Sequence, residues 1–289
     1  MNPLAITCQA LTQSCLANST RRPDIASMKK LTSFLARSLA ASALVLLTSI
    51  IAPATSALAQ SEPQEPGLSK IVNVIELFTS QGCSSCPPAD ALMKTYATKP
   101  DLLVLSLPVD YWDYLGWKDT LGNPKNTERQ RNYAKSRGDG QIYTPQAVIN
   151  GVAHVNGASR KDIDQAIADS QQQITANRVP LRSWTERGNI LIEAGAASDS
   201  ATVKEATIWL AVIQKSAEVT IPKGENHGKT LSYTNVVREL TPVGTWTGQP
   251  MRIQLARAAL MRPQMESVAI LIQQGKAGPI IGAALTGLW

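Results

Sequence analysis

Val74-Ile75-Glu76-Leu77-Phe78-Thr79-Ser80-Gln81-Gly82-Cys83-Ser84-Ser85-Cys86-Pro87-Pro88-Ala89-Asp90 is the stretch on which the fold turns. Its first part continues back to Ile71 and is mostly apolar on both alternating faces, which predicts a strand inside a sheet. Beyond the cysteines, Ala89, Leu92, Met93 and Tyr96 recur at helical spacing. Two cysteines three positions apart thus stand between a buried strand and a helix. That spacing brings their Cα atoms within disulfide reach of ~5.5 Å.

Working outward, residues 102–109 predict a second apolar strand, and 125–136 a polar, exposed helix. A third strand runs over 145–150. Asn150-Gly151 is a hairpin turn signal, and 152–155 is the returning strand. Ser159 can cap a last helix with Ile163, Ala166, Ile167, Ser170 and Ile174 on one face. The order strand, helix, strand, helix, strand, strand, helix predicts a thioredoxin-like α/β domain over 71–178, with 60–70 as a linker. After the polar run Gln171-Gln172-Gln173 and Pro180 the pattern changes to strands over 190–192, 207–213, 219–221, 231–240, 251–255 and 268–272. Residues 179–289 are therefore expected to form a β-rich, mostly antiparallel, sandwich-like domain.

The 289-residue chain carries a formal charge of +6. Residues 1–59 hold five basic side chains (Arg21, Arg22, Lys29, Lys30, Arg37) and one acid, Asp24. Removing them from the totals of 28 and 22 leaves 23 and 21, a net of +2, with no basic stripe that points to nucleic acid. Lys29-Lys30, the apolar run over 39–51 and Ala57-Leu58-Ala59 form a secretory signal pattern. The apolar run is short of the ~20 residues of a membrane span. The expectation is cleavage near Ala59 and a periplasmic or secreted protein. No cysteine follows that site to take a lipid anchor. Met28 is the expected true start, which makes 28–59 the signal.

Of four cysteines, Cys8 and Cys15 fall in this leader, so Cys83 and Cys86 alone remain. A single pair closing so short a loop staples little of the chain. A dithiol chemistry explains it better: Cys83 as the more exposed nucleophile and Cys86 as the resolving thiol. The helix N-terminus would favour the thiolate. Pro87-Pro88 weakens that account, because each proline disfavours a helical residue before it; the regular helix is expected to begin at Pro88. In Tyr143-Thr144-Pro145-Gln146, Pro145 is expected to be cis and Thr144 to flank the dithiol, offering backbone to an incoming chain. The alternative is an ordinary trans proline opening an edge strand. Glu76, if buried and free, would be a proton carrier for Cys86; the alternative is an exposed or ion-paired position at a strand edge. The aromatic stretch over 110–119 is either a substrate-facing surface or packing for an inserted loop.

The quoted stretch, Asp110-Tyr111-Trp112-Asp113-Tyr114-Leu115-Gly116-Trp117-Lys118-Asp119 and Tyr143-Thr144-Pro145-Gln146 together resemble the exported, thioredoxin-like family known as domain of unknown function 1223. Gly224-Glu225-Asn226-His227-Gly228-Lys229 and Asn235-Val236-Val237-Arg238 resemble its C-terminal signature. The resemblance implies a thioredoxin-like fold and export, and supplies no substrate. The residues themselves favour a thiol-disulfide oxidoreductase with no cofactor beyond a redox-active Cys83–Cys86 disulfide. Its expected partners are protein or small-molecule thiols and disulfides, with a membrane redox protein as one candidate. The alternatives are a metal handler, for which thiolates would suit copper(I), or a secreted binding protein whose disulfide is silent. His154 and His227 have no ligand spacing to the pair, and Gly224–Lys229 reads as a turn at a domain contact.

Overall fold

The computed structural model describes residues 67–289; the leader, Cys8, Cys15 and Met28 lie outside the described residues. The described residues belong to one compact unit. The protein is mostly β, with one large mixed sheet, one small sheet and three helices among the described residues. Strand β1 (Asn73–Thr79) leads through the cysteine loop into helix α1 (Pro87–Tyr96), and β2 (Leu102–Pro108) returns parallel to β1. Helix α2 (Pro124–Arg137) precedes the hairpin of β3 (Gln146–Ile149) and β4 (Ala153–Asn156), and α3 (Arg160–Ile174) follows. Strand β3 runs antiparallel to β1. Asn150 and Gly151 both take positive φ at the hairpin, the conformation an Asn-Gly turn supplies.

The C-terminal half contributes β5 (Leu181–Glu186), β6 (Asn189–Ala194), β7 (Ala206–Thr220), β8 (Thr230–Trp246), β9 (Met251–Ala256), β10 (Ser267–Gln273) and β11 (Ile280–Gly287). The sheet order is β11-β10-β7-β8-β2-β1-β3-β4, with β5-β6-β9 as a separate three-stranded sheet. Sequence predicted the antiparallel pairing of this half but placed it in a domain of its own. The sheet instead runs on across the expected boundary. Its junction is a single bridge between Ser106 and Val236. Side chains complete it: Ser106 Oγ donates to the Thr234 carbonyl at 2.7 Å, and Asn235 Nδ2 to the Val104 carbonyl at 3.0 Å. The small sheet lies on the outer strands through a core that includes Leu181, Ile190, Ile192, Ile208, Leu210, Trp246 and Ile270.

Three sequence expectations change. Strand β7 is one strand through the polar Gln214-Lys215-Ser216 stretch, because it stays paired with β8 past a register shift at Val212/Ile213. Strand β11 was hidden by its glycines and alanines; Gly282 has the Val179 carbonyl and Ile272 close against it, which leaves no room for a side chain. Helix α2 is not an exposed polar helix. It buries Asn126, Thr127, Arg129, Gln130 and Tyr133, and each of these side chains makes a hydrogen bond, although Gln130 Oε1 has no partner. Asn126 donates to the Pro108 carbonyl, Thr127 to Asp110, and Gln130 to both the Tyr143 carbonyl and Gln146.

Arg129 makes the central contact of this helix. Its Nε and Nη2 grip Glu76 at 2.6 and 3.0 Å, and Tyr133 donates its hydroxyl to the same carboxylate. Gln273 of β10 accepts from Arg129 Nη2 at 3.0 Å. One buried ion pair thus connects β1, α2 and β10. Removing one partner of such a pair leaves an uncompensated charge in the core. Glu76→Gln is therefore expected to destabilise the fold by about 3 kcal/mol, measured as a lowered urea midpoint with an unchanged slope.

Candidate functional site

Strand β1 ends at Thr79, and the chain then makes two turns before α1. Cys83 N donates to the Ser80 carbonyl, Cys86 N to the Cys83 carbonyl, and Ala89 N and Asp90 N to the Cys86 carbonyl. Helix α1 starts at Pro87, one residue earlier than expected, and Cys86 itself has helical dihedrals (φ −78°, ψ −35°). The restriction before proline is overridden by the hydrogen bonds converging on Cys83 and Cys86. Cys83 and Cys86 form a disulfide with Cα atoms 5.4 Å apart.

Both cysteines are buried, at 2% and 0% exposure, while Ser84 and Ser85 are exposed. Cys83 was expected to be open to solvent. The tight turn beneath it and two segments from far along the chain account for the difference. The first is the aromatic stretch after β2. Trp112 lies against Gly82, where a side chain would meet its Cβ at 3.0 Å, and its Nε1 donates to Thr144 Oγ1 at 2.7 Å. Trp117 Nε1 donates to Gln81 Oε1 at 2.8 Å, and Asp119 accepts from Gln81 N at 2.8 Å. Tyr114 stacks on Trp112 and is 76% exposed. The stretch therefore divides: Trp117 and Asp119 anchor the cysteine loop, and Tyr114 faces solvent.

The second segment is the turn between β7 and β8. Asn226 is fully buried; its Nδ2 donates to the carbonyls of both Gln81 and Cys83 at 2.9 Å, and Lys229 Nζ donates to its Oδ1. Sequence reading took this stretch for a contact turn and missed that one amide holds the cysteine loop. The available signal was an asparagine between two glycines inside the C-terminal signature.

The Thr144–Pro145 peptide is cis. Gly157 N donates to the Pro145 carbonyl, and Gly157 is enclosed by Leu77, Pro145 and Ala89, so Pro145 lies beside the first turn of α1. Glu76 is not the free acid of this site, nor does it stand at an edge. It lies between β2 and β3 and is neutralised by Arg129. The buried acid of α1 is Asp90, which sequence reading left unremarked. Asp90 is 3% exposed and four residues after Cys86 on α1, and neither carboxyl oxygen has a hydrogen-bond partner. Burial pushes its carboxyl well above the ordinary range, the nearby Thr79 hydroxyl offsets part of this, and Asp119 adds to it. The Tyr233 hydroxyl is buried and unpartnered too. Burial also raises Asp119, against the pull of its backbone donors.

Helix α1 offers little to a thiolate. Pro87 and Pro88 have no N–H, and the next two amides are used by the Cys86 carbonyl. Ser85 Oγ, 3.4 Å from Cys83 Sγ, is the nearby hydroxyl that can donate. His154 bonds Tyr143 and approaches Asp139, and among the described residues no three His, Cys, Asp or Glu gather as a metal site.

These features define a mixed-sheet protein with a buried C-x-x-C disulfide between a central strand and a proline-started helix, and a cis-proline beside the first turn of that helix. The family described as "Protein of unknown function (DUF1223)" matches residues 74–273, and the chain belongs to it. A crystal structure of protein AGR_C_4864 from Agrobacterium tumefaciens is similar at 34% identity and a TM-score of 0.65, over 74% of this chain and 93% of that one. HBP35 of Porphyromonas gingivalis shares the fold at 11% identity and a TM-score of 0.51, over 76% of each chain. No functionally curated protein matches the sequence.

Two outcomes are expected. A carboxyl whose pKa is raised by folding lets the native state hold its proton where the unfolded state has lost it. Stability then falls as pH rises above the ordinary aspartate value of ~3.9 and levels off above the folded-state value. Asp90→Asn should remove much of that decline, read from urea midpoints between pH 4 and 8; an unchanged slope would contradict the assignment. Asn226→Ala strands the buried Gln81 carbonyl and leaves the Cys83 carbonyl with the Cys86 N–H alone; it should cost about 1–3 kcal/mol, with faster proteolysis around residues 80–86.

Proposed function

We propose that the protein is an exported thiol-disulfide oxidoreductase built on a thioredoxin-like unit, with Cys83 as the exchanging sulfur and Cys86 as the resolving one. The observation that carries this is the Cys83–Cys86 disulfide at the junction of β1 and α1, beside the cis-proline loop. The order β1-α1-β2-α2-β3-β4-α3 and the sheet order β2-β1-β3-β4 support the thioredoxin-like reading. The signal pattern over 28–59 supports a periplasmic or secreted location, where protein and small-molecule thiols are the available partners.

In the oxidising direction a partner thiolate attacks Cys83 Sγ. The Cys83–Cys86 bond breaks, a mixed disulfide forms, and the electron pair leaves on Cys86 as a thiolate. A second partner thiolate then attacks the partner sulfur of the mixed disulfide, releasing Cys83 and forming the partner's disulfide. The two protons from the partner thiols end on the cysteine sulfurs. The reducing direction is the same path reversed. Asp90, its carboxyl pushed upward by burial and one turn along from Cys86, is the acid we place at the Cys86 thiolate. Ser85 stabilises the Cys83 thiolate. Tyr114 and the Thr144 backbone form the surface that a partner meets.

Cys86→Ser in the exporting cell should accumulate mixed disulfides on Cys83, seen as shifted species on non-reducing gels that vanish with Cys83→Ser. Absence of any adduct would sink the exchange reading and favour a silent disulfide. Ser85→Ala in the Cys86→Ser background should raise the Cys83 thiol pKa by about half a unit or more, the loss expected for one hydrogen bond to an anion, followed by iodoacetamide reactivity against pH.

A further inference from the structure

A cavity of about 340 Å³ lies between α2 and the sheet, and its lining includes Lys125, Glu128, Arg129, Trp209, Leu240 and Lys276. Its wall holds a buried donor with nothing to donate to, Trp209 Nε1, beside three cationic side chains. Arg129 is 5% exposed, and its Nε and Nη2 are committed to Glu76, Tyr133 and Gln273. The guanidinium stands over the Trp209 ring at 5.6 Å, and Trp209 Nε1 is buried without a partner. Lys125 and Lys276 stand exposed at the cavity with no acid paired to either. A buried donor left unsatisfied costs free energy that an acceptor recovers.

From this arrangement we infer that the cavity is a binding site for an organic monoanion, a carboxylate carried on a small apolar body. The charge count sets the anion's size. Lys125, Lys276 and Arg129 face Glu128 in the lining and Glu76 behind it, which leaves one positive charge. That balance suits a single negative charge better than a phosphate dianion. Trp209, Leu240 and Pro242 supply the apolar wall that an inorganic ion would not use. The volume is at the small end of ligand sites. This site is independent of the disulfide: it stands on α2, β7, β8 and the turn after β10, and its residues do not touch the cysteine loop in any hydrogen bond described above.

The test is titration of the purified protein with phenylacetate, followed by saturation-transfer NMR and calorimetry, beside three controls: phenylacetamide, phenethylamine and inorganic phosphate. Saturable phenylacetate binding is expected, at least fivefold tighter than any control and weakened by added salt. Replacing both lysines, Lys125→Gln with Lys276→Gln, should weaken it roughly five- to tenfold, the scale of two partly exposed charge contacts. Both residues are on the surface, so the variant keeps its fold. Equal binding of phenylacetamide would overturn the anion assignment. Equal or tighter phosphate binding would overturn the apolar-body assignment. No saturable phenylacetate binding at millimolar concentration, or binding unchanged in the double variant, would overturn the site.

Discussion

The side-chain amide of Asn226 is the contact on which the site depends. A loop of seven residues between a strand and a proline-started helix has few bonds of its own. The Gln81 carbonyl has no donor within the loop and the Cys83 carbonyl has only the Cys86 N–H, and a buried carbonyl needs a donor. One Nδ2 group serves both. Because Asn226 sits at the tip of the long β7–β8 hairpin, the C-terminal half fixes the geometry of the cysteines. The Ser106–Val236 bridge with its Asn235 and Ser106 side-chain bonds secures the same hairpin lower down. That is why the large sheet has no break where the composition changes.

Burial then sets the chemistry available. Cys83 and Cys86 are packed beneath Ser84 and Ser85, against a helix start without free amides. In the exchange we propose, thiolate stabilisation falls to a hydroxyl rather than to the helix terminus, and proton supply to Asp90, whose carboxyl burial pushes well above the ordinary range. The charged acid of strand β1, Glu76, does structural work with Arg129 on the other side of the sheet. Its neighbours Val74 and Phe78 share a core face with Tyr133, whereas Ile75 and Leu77 face α1. The alternation along one strand separates the ion pair from the disulfide.

Much of this was legible in the sequence where periodicity or a turn residue carries the signal. The β1–Cys–α1 junction, the Asn150-Gly151 hairpin and the Ser159-capped helix are of that kind. The cis Thr144–Pro145 peptide was legible only because the cysteine pair raised its expectation. What stayed hidden depends on partners distant in sequence. Helix α2 looks exposed because its buried face is polar, and only Glu76, Asp110 and Gln146 reveal what that face meets. Asp90 looks like an ordinary first-turn acid until its unpartnered oxygens are placed. Asn226 is 143 residues from Cys83, and no local pattern connects them.

Redox titration of the folded protein addresses the central claim most directly. The protein is equilibrated in dithiol–disulfide buffers of graded potential, and alkylated Cys83 and Cys86 are counted by mass spectrometry while circular dichroism reports the fold. The account predicts a single reversible two-electron transition in the folded state, displaced in Asn226→Ala because that substitution loosens the oxidised loop. A pair that stays oxidised until the protein unfolds would contradict it and mark the disulfide as a structural clip.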